Sequence, residues 1–444
     1  DIANFFPIYG LDECSKTFLG KAKKEIGSKS FTKTRVKKEY KRILEYCIND
    51  AVLTKELAEY WQRRIGELGF THYAEYSIAS YSKKLFSNNS YIPLLKFIDK
   101  DAINFGYKSY RGGRFELLQK GTFEHVWEYD LNSAYSTVIK ELTSLNGKWE
   151  EFKNSKNLGH YEYAFLDCEL KQTDKILNPQ GWKYISYCYP SMNFKNYFLS
   201  KSEFELLEKY GFDIKINEGI GLKSTSYFKP FKREVERLLK LREKYKDDPF
   251  MNKTIKKTIN CFYGLQIQRY KKDGELIAGG LFNPIYAPII TSEIKSKILN
   301  LIYSKNLSED LISINTDAVH ITKNLGELDG YKKKSNGERG RYLYSGIYEI
   351  EGVKSKNRCF SKPVSFFDES QFDLSKNKKS VGDTRPAHLK ESLPRPYLRI
   401  GKWYFFRKFL TLDNDLNRAW EREFKNWGDF FKGSIDSRTL RFKC

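Results

Sequence analysis

Asp130 closes a stretch, 122–130, in which Val126, Glu128 and Asp130 alternate with Trp127 and Tyr129. That period of two predicts a strand ending on a carboxylate. A strand end is a rigid mount for a metal ligand. The residues that follow, Leu131-Asn132-Ser133-Ala134-Tyr135, offer a hydroxyl and backbone N–H groups for phosphate oxygens, and in Tyr135 a flat wall. A plain strand followed by a turn, with Asp130 as a helix cap, accounts for the same letters.

A second carboxylate has a similar setting. Asn315-Thr316-Asp317 lies between the apolar runs Ile312-Ser313-Ile314 and Ala318-Val319-His320-Ile321. The pattern over 310–322 predicts a hairpin whose tip presents Asp317 at a sheet edge. A surface hairpin with a favourable turn sequence is the ordinary reading.

Between them lies Lys256-Lys257-Thr258-Ile259-Asn260-Cys261-Phe262-Tyr263-Gly264. On a helix, Lys256, Asn260 and Tyr263 share one face, and Ile255, Ile259 and Phe262 fall on the neighbouring face to anchor it. Gly264 suits a helix stop. An ammonium, an amide and an aromatic ring in one line suit a nucleoside triphosphate. Lys240, Arg242 and Lys244 on a preceding helix add positive charge. An amphipathic helix with solvated lysines is the ordinary alternative.

Taken together, the three segments describe one chemistry. Two carboxylates on adjacent strands repel by roughly 4 kcal/mol at 4 Å with an effective dielectric of about 20. A divalent metal in the gap removes that repulsion, and a triphosphate needs the same metal. Two Mg²⁺ ions, with Mn²⁺ as a substitute, held by Asp130 and Asp317 would stabilise the attacking and leaving oxygens of an in-line displacement. The lysines would neutralise the phosphates.

The rest of the sequence must position these groups. Periodicity predicts helices over 34–63, 228–246 and 251–264 and a strand over 160–170. Basic loops are expected at Lys332-Lys333-Lys334 and around Lys376–Lys379. The mixture is α+β, and 444 residues suffice for two to four compact units. A formal charge of +22 points to a polyanionic partner. Abundant Lys, Asn, Ile, Tyr and Phe also fit an AT-rich coding sequence. The seven cysteines form no CxxC pair, which argues against a zinc site or disulfide framework and for a cytosol-like compartment. No apolar run approaches a membrane span, and no signal peptide is visible.

The segments DLNSAYS, KKTINCFYG and SINTDAV resemble polymerase motifs A, B and C of family B DNA polymerases, whose patterns are DxxSLYP, KxxxNSxYG and YxDTDS. Tyr110-Arg111-Gly112-Gly113 resembles the YxGG/A segment of the protein-primed members, which joins exonuclease and polymerase modules and contacts template. Tyr46-Cys47-Ile48-Asn49-Asp50 is similar to the third exonuclease motif, YxxxD. The stretch 143–225 resembles the insertion that contacts a terminal protein.

The resemblance implies a right-hand polymerase of palm, fingers and thumb, preceded by a partial RNase H-like exonuclease domain. It implies that Asp130 and Asp317 hold the metals, with the Leu131 carbonyl as a third ligand. Ser133 and Lys256 would contact phosphates, and Lys240 would be a second triphosphate-facing lysine. Tyr135 would stack under the sugar and exclude a 2′-hydroxyl. Asn260, Tyr263 and Gly264 would line the nascent base pair. Tyr110, Arg111, Gly112, Gly113, Thr316, Lys354 and Lys356 would contact DNA. Tyr46 and Asp50 would be an exonuclease remnant. The expected partners are template-primer DNA, deoxynucleoside triphosphates and a terminal protein, in the cytoplasm and without a membrane.

The expected divisions are 1–65, the exonuclease remnant; 66–142, linker and first palm segment; 143–225, the insertion; 226–275, fingers; 276–355, palm; and 356–444, thumb and C-terminal region. Ser136 stands where the family has Pro, Cys261 where it has Ser, Asn315 at the first acidic position of motif C, and Ser313 at the aromatic before it. No other exonuclease acidic motif precedes Tyr46, so no proofreading is expected from this sequence. Its start at Asp1 reads as processing or a fragment. The rivals are primer-independent synthesis and a decayed polymerase that only binds DNA.

Overall fold

The computed structural model describes residues 6, 10–27, 31–69, 77–119, 121–171, 193–273, 275–344, 347–357 and 365–371, with short pieces at 403–404, 418–420, 426, 437–439 and 442–443. Two compact units emerge: residues 1–95, 139–144 and 227–283 form the first, and 96–138, 145–226 and 284–444 the second. Among the described residues, no helix is long and apolar enough to cross a membrane. The basic stretch at 376–379 and most of 356–444 lie outside the described residues.

The first unit is mainly helical. It contains α1 (Leu11–Leu19), α2 (Lys33–Lys38), α3 (Tyr40–Gly66) and α4 (Ile78–Asn89). The helix expected over 34–63 is broken once, at Glu39, whose φ of −111° and ψ of 26° leave the helical region. Leu53, Leu57, Trp61 and Ile65 recur every fourth residue of α3 and are buried. Ser77 and Ser80 form a capping box at the start of α4. Later come α8 (Lys232–Lys244), α9 (Pro249–Leu265) and the hairpin β7 (Arg269–Lys272) and β8 (Glu275–Ala278). Asp248 caps α9 by accepting from Met251 N–H at 3.0 Å, and Pro249 occupies the first turn, where its missing N–H costs nothing. Phe86 on α4 stacks on Phe262 of α9 at 4.0 Å, and the Ser82 hydroxyl donates to the Thr258 carbonyl at 2.7 Å.

The second unit is built on an eight-stranded antiparallel sheet. After α5 (Lys100–Ser109) come β1 (Phe115–Leu117), β2 (Gly121–Leu131) and α6 (Ala134–Glu141), the last residues of which belong to the first unit. The sheet is completed by β9 (Leu311–Asn315), β10 (Ala318–Ile321), β11 (Tyr331–Lys333), β12 (Glu338–Tyr344), β13 (Ile347–Ile350) and β14 (Lys354–Asn357). Its order is β1-β9-β10-β2-β12-β13-β14, with β11 also paired to β2. Tyr129 of β2 joins Ile314, Val319 and Ile321 in a core with Ile298, Leu299 and Ile302 of α10 (Tyr286–Ser304). Val126, on the alternate face, packs with Tyr342, Tyr348 and Ile350. The strand therefore buries residues of both faces only in its second half, at Val126, Glu128 and Tyr129, and delivers Asp130 just beyond them. The Lys332–Lys334 stretch, expected as a loop, begins as strand β11, because Tyr331 and its neighbours complete the ladder beside β2.

A second sheet, ordered β3-β6-β4-β5, comprises β3 (Gly147–Lys153), β4 (Tyr163–Lys171), β5 (Asn193–Ser200) and β6 (Ile214–Ser224). It carries α7 (Lys201–Lys209), whose Phe204 and Leu207 enter the same core as Leu166, Cys168 and Leu199.

Candidate active site

Backbone pairing brings the strand end that carries Asp130 beside the hairpin tip that carries Asp317. Ala318 of β10 pairs with Asp130 of β2, and Ala318 also pairs with Asn315 of β9. The Leu131 N–H donates to the Asp317 carbonyl at 2.7 Å, so the strand end and the hairpin tip are tied directly. Both aspartates are half-buried. Two residues adopt left-handed backbone here: Ser133 at φ 48° and Thr316 at φ 65°. Such conformations cost of order 1–3 kcal/mol for non-glycine residues and persist where the surroundings over-determine them. Here the Asp317 N–H donates to the Asn315 carbonyl at 2.8 Å, and the Ser133 carbonyl accepts from Thr137 N–H at 2.9 Å.

The two carboxylates and the Leu131 carbonyl are hard oxygen donors, the set that suits Mg²⁺ or Mn²⁺. Among the described residues there is no group of three or more His, Cys, Asp or Glu side chains that could hold a metal. Mg²⁺ is commonly held by one or two carboxylates, with water and substrate phosphate completing the shell.

Tyr110–Gly113 abuts the same hairpin. The Thr316 N–H donates to the Arg114 carbonyl at 2.7 Å, and a Cβ added to Gly113 would sit 2.5 Å from Thr316 Cγ2. Arg111 turns its guanidinium onto the Lys108 and Tyr110 carbonyls, at 2.6 and 2.8 Å, and so fastens the end of α5. Tyr135 is half-buried; burial pushes its phenol upward, and the negative charge of Asp317 and the phenol of Tyr110 add to the shift. Its hydroxyl therefore stays protonated. Ser133 is exposed, and Ser136 is buried.

Beneath the tip lies a buried polar chain that the sequence reading did not assign. The Asn315 Nδ2 lies 3.3 Å from Ser313 Oγ and 3.0 Å from His320 Nε2, and His320 Nδ1 lies 2.7 Å from the Tyr342 hydroxyl. Glu128, fully buried, has its Oε2 3.8 Å from His320 Nε2 and is ion-paired with Lys354. Burial opposes the charge on Glu128, but the His320 ring and the Lys354 ammonium overcome it and hold the carboxyl down to about 2. The available signal was Glu128 itself, a carboxylate two residues before Asp130 on the same strand face. Lys354 thus reaches the Asp130-bearing face of the sheet. Lys356 lies on β14 opposite Tyr348, but its side chain is outside the described residues.

A second missed pair is Lys295 on α10 with Glu203 on α7, 2.6 Å apart and both buried. Burial lowers the Lys295 pKa, Glu203 counters it, and Arg111 and Arg114 lower it further.

In the first unit, Lys256 and Asn260 are exposed and Tyr263 is half-buried, while Ile255, Ile259 and Phe262 are buried, as the helical spacing predicts. Lys240 is exposed on α8. Gly264 is not the helix stop: α9 runs through it to Leu265, and Gly264 has no positive φ. A side chain there would meet nothing within 4 Å, so its place on the exposed face is open. Cys261 is half-buried, and burial raises its thiol. Asp50 pairs with Lys23 at 2.8 Å, and the same ammonium lies 4.6 Å from the centre of the Tyr46 ring.

The profile of the family described as DNA polymerase type B, organellar and viral, matches residues 14–272, more than half of the sequence. The chain belongs to that family. It is a DNA-directed DNA polymerase, a class that depends on divalent metal. The match includes Asp130 and the α9 residues and ends before Asp317. Among solved structures, this polymerase resembles Phi29 DNA polymerase complexed with primer-template DNA and incoming nucleotide substrates. The TM-score is 0.57 at 17% identity, covering 92% of this chain and 76% of that one. The orthorhombic crystal form of Phi29 DNA polymerase gives 0.56 at 16%, covering 90% and 75%. Its post-translocation binary complex with primer-template DNA gives 0.54 at 15%, covering 98% and 78%. At these identities the likeness shows the fold, the α+β polymerase fold expected from the sequence. No curated protein matches by sequence.

Proposed function

We propose that this polymerase adds deoxynucleotides to a 3′-hydroxyl, or to a hydroxyl of a terminal protein, in copying a phage or mobile-element genome in the host cytoplasm. The observation that supports the site assignment is the tie between Leu131 and Asp317, which joins the end of the strand that carries Asp130 to the hairpin tip that carries Asp317. Asp130, Asp317 and the Leu131 carbonyl would hold two Mg²⁺ ions, which would supply positive charge for phosphoryl displacement. Ser133, Lys240 and Lys256 contact the triphosphate. Tyr135 stacks under the sugar, and its protonated hydroxyl and ring leave no room for a 2′-hydroxyl. Asn260, Tyr263 and Gly264 line the base pair. Tyr110, Gly112, Gly113 and Thr316 hold template, with Arg111 fixing their backbone, and Lys354 and Lys356 approach the primer. Residues 143–225 meet a terminal protein.

The Asn315 amide supports activity despite the missing carboxylate. It is buried against Ser313 and His320, so that position serves the hairpin rather than a metal. Primer extension on a primed single-stranded template, with Mg²⁺ and four deoxynucleotides, tests the assignment. The parent should extend, and Asp317→Asn should lose extension while binding DNA nearly as before. Extension by Asp317→Asn at the parental rate would show the metal assignment to be wrong. Adding deoxynucleotides to a candidate terminal protein without a primer tests the priming mode.

A further inference from the structure

Lys332 and Lys334 flank Asp130 on the edge opposite the hairpin. Lys332 of β11 is registered directly across from Asp130. Directly opposed residues of an antiparallel pair project from the same face, and residues two apart share that face. Lys334 follows two residues later; its N–H donates to the Glu128 carbonyl at 2.8 Å, and its Nζ lies 3.7 Å from Asp130 Oδ2. Lys333, between them, belongs to the other face, opposite Tyr129. Lys354 reaches this face from β14 through Glu128.

These lysines are placed differently from solvated surface charges. Their strand is fixed at both ends beside the carboxylate: Asn132 N–H donates to the Gly330 carbonyl at 2.9 Å, and Glu128 N–H donates to Ser335 Oγ at 2.6 Å. The Lys334–Asp130 contact contributes little as an ion pair, since the two side chains are 39% and 31% exposed. Exposed pairs of this kind add little to stability. The ammonium is therefore held near Asp130 by the strand and is free to exchange that contact for a stronger anion. Among the described residues Lys332 is exposed and makes no ion pair. A phosphate has up to three acceptor oxygens and outcompetes a single half-exposed carboxylate oxygen for an ammonium.

We propose that Lys332 and Lys334 form a phosphate-binding edge for the nucleic acid or nucleotide that reacts at Asp130. The proposal rests on the assignment of Asp130 and Asp317 to the catalytic site. The phosphate has two possible sources, the primer-strand backbone or the triphosphate of the incoming nucleotide.

Equilibrium binding of a primer-template duplex, without nucleotide, from about 50 to 200 mM KCl reads the first source. Each phosphate contact contributes about −0.9 to the slope of log K against log salt on duplex DNA. Lys332→Met with Lys334→Met should flatten the slope by about 1 to 2 if the edge holds the primer backbone, with the KM for deoxynucleotide unchanged. If it holds the triphosphate, the slope stays parental and KM rises about tenfold. Lys333→Met removes one neighbouring charge from the other face and should change neither. Equal slopes and equal KM in parent and double variant overturn the proposal, as does a Lys333→Met effect of the same size. Asp317→Asn run alongside keeps the two readings apart. If it still extends primer, the catalytic assignment is wrong; if it is inactive while the lysine variants match the parent, only the phosphate edge fails.

Discussion

Gly113 lies against Thr316, so close that a Cβ on the glycine would be 2.5 Å from the threonine Cγ2. The segment expected to grip template and the tip that carries Asp317 are thus in direct contact. Thr316 has little freedom to yield, since its φ is 65° and its N–H is bonded to the Arg114 carbonyl. Overpacking at such a contact costs about 1–3 kcal/mol. Gly113→Ala should therefore lower the extension rate about tenfold while leaving the fold cooperative. Adding Thr316→Ser, which removes Cγ2, should restore most of the loss. Steady-state extension of the three variants checks this, and equal rates for the single and double variants would count against the contact.

Glu128 gives the protein a predictable acid response. Its carboxyl is held down to about 2 from an ordinary 4.5, so the native state binds fewer protons than the unfolded chain between those values. Stability from this group is complete above about pH 4.5 and lost as pH falls toward 2. A shift of this size corresponds to an upper limit on the order of 3 kcal/mol. Glu128→Gln should flatten the pH dependence of the melting temperature below pH 4.5. At neutral pH it should destabilise, because it leaves His320 and Lys354 without their carboxylate. Parallel melting curves for parent and variant over that range would refute it.

Much of this site was legible because its signals are local. The period of two around Val126–Asp130 and the turn letters at Asn315–Asp317 each predict an element from neighbouring residues alone, and the structure forms both. The helical face of Lys256 and Asn260 has the same character. The missed parts depend on pairing across long sequence separations. Nothing near Glu128 announces that Lys354, on β14, will meet it, and nothing near Lys334 announces that β11 will lie beside Asp130. Gly264 shows a different limit: glycine permits a helix stop but does not impose one, and α9 continues through it.

The Glu203–Lys295 pair predicts an asymmetric mutational response. Breaking a buried pair from one side leaves an uncompensated charge and typically costs 3–5 kcal/mol, whereas replacing both partners with apolar residues is often neutral or better. Glu203→Gln should therefore lower stability by about that amount, aggravated by Arg111 and Arg114 near the orphaned ammonium. Glu203→Gln with Lys295→Met, which removes both charges and keeps an acceptor for the Ser200 N–H, should recover most of it. Denaturant unfolding of the single and double variants decides the matter, and a double variant no more stable than the single would remove the argument.

Asn315→Asp separates two meanings of the amide at the first position of the hairpin tip. If this position were a weakened metal ligand, restoring a carboxylate would tighten the metal requirement. The geometry points elsewhere. Asn315 is 94% buried, its Nδ2 contacts Ser313 and His320, and its Oδ1 has no hydrogen-bond partner among the described residues. A carboxylate there would compete with Glu128 for the His320 ring and place a second negative charge in the same buried layer. The expected result is a loss of stability of about 1–3 kcal/mol from a poorly satisfied buried group, with the Mg²⁺ concentration for half-maximal extension unchanged within about twofold. A Mg²⁺ requirement lowered tenfold in Asn315→Asp would instead place residue 315 among the metal ligands.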